Sequence, residues 1–215
     1  MESPKVIFLD AMGTLFGLKG TVGEMYGAIA AGVGVYVLPE TLDKTFIQSF
    51  KSANPLAFPG VHPSLIPELE FQWWRAIAKS TFSLAGVLEQ FEDFGTFFIQ
   101  LYDYFASSEP WYVYEDVVPA LTHWHHQGIE LGVISNFDSR LQRILKSLNL
   151  EIFFKSITMS SYSGVAKPNP LIFTTALAKH NCSPAQAWHI GDSLKDDYYG
   201  ATSAGIKAFL IERIN

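Results

Sequence analysis

The alternation of strand and helix in this chain is broken once, and the break is long. A short apolar run, Lys5 to Leu9, reads as a strand that needs burial on both faces. From Thr21 to about Ser107 the pattern is helical, and alternation resumes only afterwards. Roughly ninety residues are far too many for a βα loop, whose usual length is about 2 to 6. The pattern predicts a doubly wound, Rossmann-like parallel α/β sheet as the core, over 1–16 and 107–215, with an all-helical cap inserted at 17–106.

Within the insert, Val22, Met25, Tyr26 and Ile29 mark one helix, and Leu42, Phe46, Ile47 and Phe50 a second that begins near Pro39. Leu69, Trp73, Ala76 and Ile77 mark a third. Val87, Phe91, Phe94, Phe98, Leu101 and Phe105 predict one long amphipathic helix. The loop from Asn54 to Pro63 separates the second from the third, and its prolines make it rigid. Gly23 and Gly27 form a small pair suited to close helix packing inside the insert.

After the insert, strands are predicted at Ile129–Ile134, Ser156–Met159, Ala187–Ile190 and Ile206–Ile211. Helices fall between them: one capped by Asp138, one opened by Asn169 and Pro170 and running to Lys179, and one from Asp196 to Ala204. The carboxyl ends of parallel strands face one crevice. Four stretches reach it: Asp10, Ser135-Asn136, Lys167-Pro168, and Gly191-Asp192-Ser193 with Asp196 and Asp197. Several acids, a hydroxyl and one lysine suit magnesium and phosphate together, because carboxylates hold a hard cation while Ser and Lys hold phosphoryl oxygens.

A net charge of −6 argues against a nucleic-acid partner. The longest uncharged run near the first helix, Met25 to Pro39, is short for a bilayer span and holds three glycines, so no membrane partner is expected. The first strand starts too early to leave room for a targeting peptide, and a cytoplasmic protein is expected. The single Cys182 reads as a small apolar filler. Oligomeric state has no readable determinant.

Four motifs in order make the chain resemble the haloacid dehalogenase superfamily over its whole length. Asp10-Ala11-Met12-Gly13-Thr14-Leu15, Ile134-Ser135-Asn136, Lys167-Pro168, and Gly191-Asp192-Ser193 with Asp197-Tyr198-Tyr199-Gly200-Ala201 carry the likeness. The insert is similar to the helical cap of subfamily one. Gln72-Trp73-Trp74, Thr81 to Gly86 and Val133 to Asp138 resemble the haloacid-dehalogenase-like hydrolase domain-containing protein 3, or rhythmically expressed, group.

The resemblance implies that Asp10 attacks phosphorus of a small-molecule phosphate ester, with magnesium held by Asp10, Asp192 and the Met12 backbone carbonyl. Ser135, Thr14 and the amide of Asn136 would bind phosphoryl oxygens, Lys167 would neutralise Asp10, and Asp197, or less well Asp196, would orient Lys167 or a metal water.

Met12 departs from the pattern. Superfamily phosphatases place there an Asp that protonates the leaving group, a contribution worth about 10² to 10⁴ in rate, and a thioether cannot replace it. Two rivals stay open: a metal-independent 2-haloacid dehalogenase, and a catalytically weak binding or regulatory protein. Against the dehalogenase, Gly191-Asp192-Ser193 stands where those enzymes carry Ser-Ser-Asn. Their cap also supplies an early Arg, while Gly17 to Phe50 here offers only Lys19 and Lys44.

Other features carry plainer readings. His123, His125 and His126 lack Cys or carboxylate partners at metal spacing. His189 reads as part of a hydrogen-bond network rather than a proton shuttle. Trp73, Trp74 and Trp111 could line a substrate pocket, with packing the plainer role for at least one of the adjacent pair; Arg75 and Lys79 could meet a substrate anion, with a solvated face the plainer role.

Overall fold

The computed structural model describes residues 3–213. Over them the chain divides into two compact units, residues 3–17, 56–66 and 112–213, and residues 18–55 and 67–111. The first unit is built on β1 (Val6–Leu9), whose four residues are all buried, as a strand covered on both faces must be. β2 (Phe16–Leu18) follows it, and β3 (Trp111–Val113) pairs with β2 in a separate two-stranded sheet. These two strands were not foreseen: three residues are too few to display a period.

The second unit holds α1 (Val22–Ala31), α2 (Pro39–Ser52), most of α3 (Ile66–Leu84) and α4 (Phe94–Tyr104). A reciprocal cap opens α1, with Thr21 accepting from the Glu24 N–H and Glu24 accepting from the Thr21 N–H. The helices α1 and α2 pack so closely at Gly23 that a Cβ there would lie 2.0 Å from the Pro39 carbonyl oxygen. Tyr26, Leu42, Phe82, Phe97, Phe98 and Leu101 fill this unit's core. Trp73 stays in the same unit, its indole N–H donating to the Asn54 carbonyl and its ring meeting Phe50 and Trp74 edge-on.

Two expectations are corrected here. The single helix over 87–105 is broken. A turn of 3₁₀ helix at Leu88–Gln90 leads into an extended Phe91, and α4 starts only after Asp93. The Asp93 carboxylate accepts from both the N–H and the hydroxyl of Thr96, an N-cap strong enough to restart the helix. Residues 56–66, read as part of the insert, cluster with the first unit. There Leu56 is buried and its carbonyl accepts the Ser160 hydroxyl at 2.6 Å.

The first unit continues through α5 (Val117–His126), β4 (Glu130–Ser135), α6 (Arg140–Ser147), β5 (Ser156–Met159), α7 (Ser160–Ser163), α8 (Pro170–Lys179), β6 (Ala187–Gly191), a π-helix (Leu194–Tyr199), α9 (Gly200–Ser203) and β7 (Lys207–Leu210). The helix foreseen over 196–204 thus begins earlier and in two pieces. The cap position of α6 falls on Ser139, one residue after the expected Asp138, whose carboxylate still accepts the Arg140 N–H at 2.9 Å.

The sheet runs β5-β4-β1-β6-β7 with every pairing parallel. The chain therefore leaves β1 toward one edge through β4 and β5, then returns to its other side through β6 and β7. That reversal sets the carboxyl end of β1 at the switch point where such sheets bind ligands. Val6, Phe8, Ile134, Ile172, Phe173, Ala176 and Leu177 pack the core beneath α8. No helix among the described residues is long and apolar enough to cross a membrane.

Candidate active site

Asp10 follows β1 directly and is 7% exposed, its N–H continuing the ladder to the Ile190 carbonyl at 2.9 Å. The chain then turns sharply: Ala11 O accepts from the N–H groups of Thr14, Leu15 and Phe16, and Gly13 adopts φ +82°. A side chain at Gly13 would collide with the Asp192 carboxylate, 2.5 Å from its Oδ2, so the turn and the β6 loop meet backbone to carboxylate. The Thr14 hydroxyl donates to Asp192 Oδ1 at 3.2 Å. Met12 lies at the surface, 45% exposed.

Lys167 is the hub of the site. Its buried ammonium donates to Asp10 Oδ1 and to Asp197 Oδ1, each at 2.6 Å. Asp197 also accepts the Ser193 N–H at 3.0 Å on Oδ2 and pairs with His189 Nε2 at 2.8 Å on Oδ1. Burial pushes Lys167 toward the neutral form, but the charges of Asp10 and Asp197 outweigh it and hold its pKa above the ordinary lysine value. Burial likewise works against the Asp197 charge, yet the His189 bond and the Lys167 ammonium bring its pKa down to about 2.

Asp192 is pushed the other way, upward, by burial and then by the charges of Asp10 and Asp197. Carboxylate oxygens of Asp10, Asp192 and Asp197 lie within 4.8 Å of one another, the one such metal-capable grouping among the described residues. Three carboxylates thus face a single ammonium. That donor set, all hard oxygen and short of positive charge, fits a hard divalent cation.

The structure brings Asp10, Thr14, Lys167, Asp192 and Asp197 into one network. Ser135 is buried at the end of β4, level with Met159 of β5. Asn136, expected at a phosphoryl oxygen through its amide, uses its side chain otherwise: Oδ1 accepts the Lys167 N–H at 2.7 Å and Nδ2 donates to the Lys167 carbonyl at 3.0 Å. Asp196 lies close enough to feel the charges of Lys167, Asp197 and Asp10. It is half-buried and its N–H takes the Ser193 hydroxyl as a cap at 3.1 Å, while burial raises its pKa.

Arg213 was not anticipated. Its guanidinium donates to the Thr14 carbonyl and to Asp116, both at 2.5 Å, and lies 4.1 Å over the Tyr114 ring. It braces the turn after Asp10 from the far end of the chain, and nothing local in sequence announces a contact of that span.

Comparison with known proteins agrees with this geometry. A family model described as haloacid dehalogenase-like hydrolase matches residues 4–205. The mouse haloacid dehalogenase-like hydrolase domain-containing protein 3 is 35% identical over 209 residues, covering 96% of this chain and 81% of that protein. The glyceraldehyde 3-phosphate phosphatase of Methanopyrus kandleri is 35% identical over 101 residues, 46% of this chain and 43% of that one. Among solved structures, a HAD phosphatase from Thermococcus onnurineus superposes with TM-score 0.64 at 21% identity, over 97% of this chain and 86% of its own. The L-2-haloacid dehalogenase RSc1362 superposes with TM-score 0.69 at 18% identity, over 100% and 88%. At such identities these two likenesses speak for the fold alone.

Proposed function

The chain belongs to the haloacid dehalogenase-like hydrolases, and from that premise we propose that it is a magnesium-dependent phosphatase acting on a small phosphorylated metabolite through Asp10. The observation that carries this reading is Asp192. It sits beside Asp10 in a cluster of three carboxylates, a set of hard oxygen donors suited to a divalent cation. The local likeness to a phosphatase over 101 residues supports the same side.

Asp10, Asp192 and the Met12 carbonyl are the ligands this reading assigns to magnesium, which when bound supplies charge neutralisation for the phosphoryl oxygens. The Asp10 carboxylate attacks phosphorus, forming an acyl phosphate as the bond to the leaving oxygen breaks. Lys167, held between Asp10 and Asp197, stabilises the charge gathering on the transferred group. Ser135 and the Asn136 N–H receive phosphoryl oxygens, and Thr14 steadies Asp192. Water then hydrolyses the acyl phosphate and restores Asp10. With Met12 in place of an acid, the leaving oxygen departs without a proton from that position, so leaving groups of low pKa are favoured.

The test is phosphate release from p-nitrophenyl phosphate with magnesium and with EDTA, alongside halide release from 2-chloropropionate. Metal-dependent phosphate release that disappears in Asp10→Asn supports the reading. Halide release without metal, or phosphate release indifferent to Asp10, overturns it.

A further inference from the structure

Within that phosphatase reading, we propose that His189 is a positioning residue, a fixed Nε2–H donor that aims Asp197, and through it Lys167, at Asp10. His189 lies in the middle of β6, fully buried, and touches no atom that reacts. Its Nε2 is 2.8 Å from Asp197 Oδ1, the same oxygen that accepts Lys167 Nζ at 2.6 Å. An ionised carboxylate only accepts, so the imidazole must carry its proton on Nε2.

The other ring nitrogen confirms that choice of tautomer. Nδ1 is buried and has no hydrogen-bond partner among the described residues, and the ring stands edge-on to Phe173 at 5.2 Å. A proton placed on Nδ1 would be an unpaired donor in an apolar setting, which is costly. The ring therefore remains neutral, with one donor in one direction. Burial pushing its pKa down agrees.

This single donor matters because Lys167 is shared. Asp10 and Asp197 hold it at equal distances of 2.6 Å. The His189 bond takes up part of the Asp197 Oδ1 charge, which keeps Asp197 from drawing the ammonium away from Asp10. Without that bond the balance tilts toward Asp197, and the lysine retreats from the nucleophile.

The variants His189→Leu and His189→Gln separate positioning from packing. Leu suits the apolar surroundings of the ring but donates nothing; Gln places an amide N–H near the Nε2 position. With p-nitrophenyl phosphate and magnesium, His189→Leu is expected to lower kcat about 10²-fold, with KM changed by less than about threefold, and His189→Gln to recover most of that loss. A packing role predicts the reverse order, with Leu the better tolerated. If Leu matches the wild type, or Gln is no better than Leu, the proposal is overturned. A long-range proton–nitrogen NMR spectrum of the wild type reads the same point without any activity: the Nε2–H tautomer of His189 is expected, and the Nδ1–H tautomer or an imidazolium overturns the proposal even if no phosphatase activity exists. Conversely, a wild type that releases no phosphate while showing the Nε2–H tautomer refutes the phosphatase reading and leaves the His189–Asp197–Lys167 arrangement standing.

Discussion

Asn136 holds the backbone of Lys167 on both sides, accepting its N–H at 2.7 Å and donating to its carbonyl at 3.0 Å across 31 residues of chain. The end of β4 thereby fixes where the lysine loop sits. Replacing Asn136 by Leu would strand two part-buried backbone groups, at a cost at or below the about 1 to 3 kcal/mol of a fully buried unpaired group. The expected result is a lower urea midpoint, and kcat down by about 10² as Lys167 drifts. A variant with wild-type kcat would show that the clamp does not set the lysine.

Met12 is open to solvent while its neighbour Asp10 is buried, so a smaller polar side chain there displaces no core packing. Met12→Asp is expected to raise kcat, by up to about 10² on alkyl phosphates and less on p-nitrophenyl phosphate, whose leaving group needs no acid. Thermal stability should change little. Equal rates for variant and wild type on an alkyl phosphate would refute the idea that a missing acid limits turnover.

Removing the Lys167 ammonium leaves Asp10 and Asp197 facing each other without a shared counter-charge. Breaking a buried pair in this way typically costs about 3 to 5 kcal/mol. Lys167→Met should therefore lose both activity and several degrees of melting temperature. Adding Asp197→Asn to Lys167→Met should restore part of the stability and none of the activity. A double variant less stable than Lys167→Met would contradict this account of the charges.

Stability should also depend on pH in a way these groups dictate. Burial holds His189 and His180 below the ordinary histidine value of 6.5, so their contribution is complete above that pH and fades as pH falls below it. Asp197, down at about 2 against an ordinary 3.8, contributes above 3.8 and loses that contribution as pH drops toward 2. Lys167 lies above its ordinary 10.5, so its contribution is present below that value and is lost only as pH rises through its folded pKa. Melting temperature should fall from about pH 8 to pH 5.5, then more steeply below about pH 4. A rise between pH 8 and 5.5 would contradict the assignment of neutral buried histidines.

The sheet and the order of the site were readable because each rests on local chemistry. Ser156–Met159 carries the β-branched pair Ile157 and Thr158, and Asn169 with Pro170 writes the start of α8. What escaped depends on distance along the chain. Leu56 belongs with the first unit because of Ser160, and Arg213 reaches Thr14 over 199 residues, contacts no local period encodes. The broken helix is the exception. Asp93 followed by Thr96 was a legible cap, overshadowed by apolar spacing that runs through it unchanged.

The widened turn at Leu194–Tyr199 makes loop length part of the site. There Ser193 O accepts from both Asp197 N and Tyr198 N, so one extra residue is looped into the helix start. That insertion sets the phase of two consecutive acids and brings the Asp197 carboxylate onto Lys167. An indel of one residue in this stretch would rotate the pair by about 100°. The loop length after β6 thus matters to the site as much as the aspartate itself, because a change in it would misplace Asp197 with every motif residue still present.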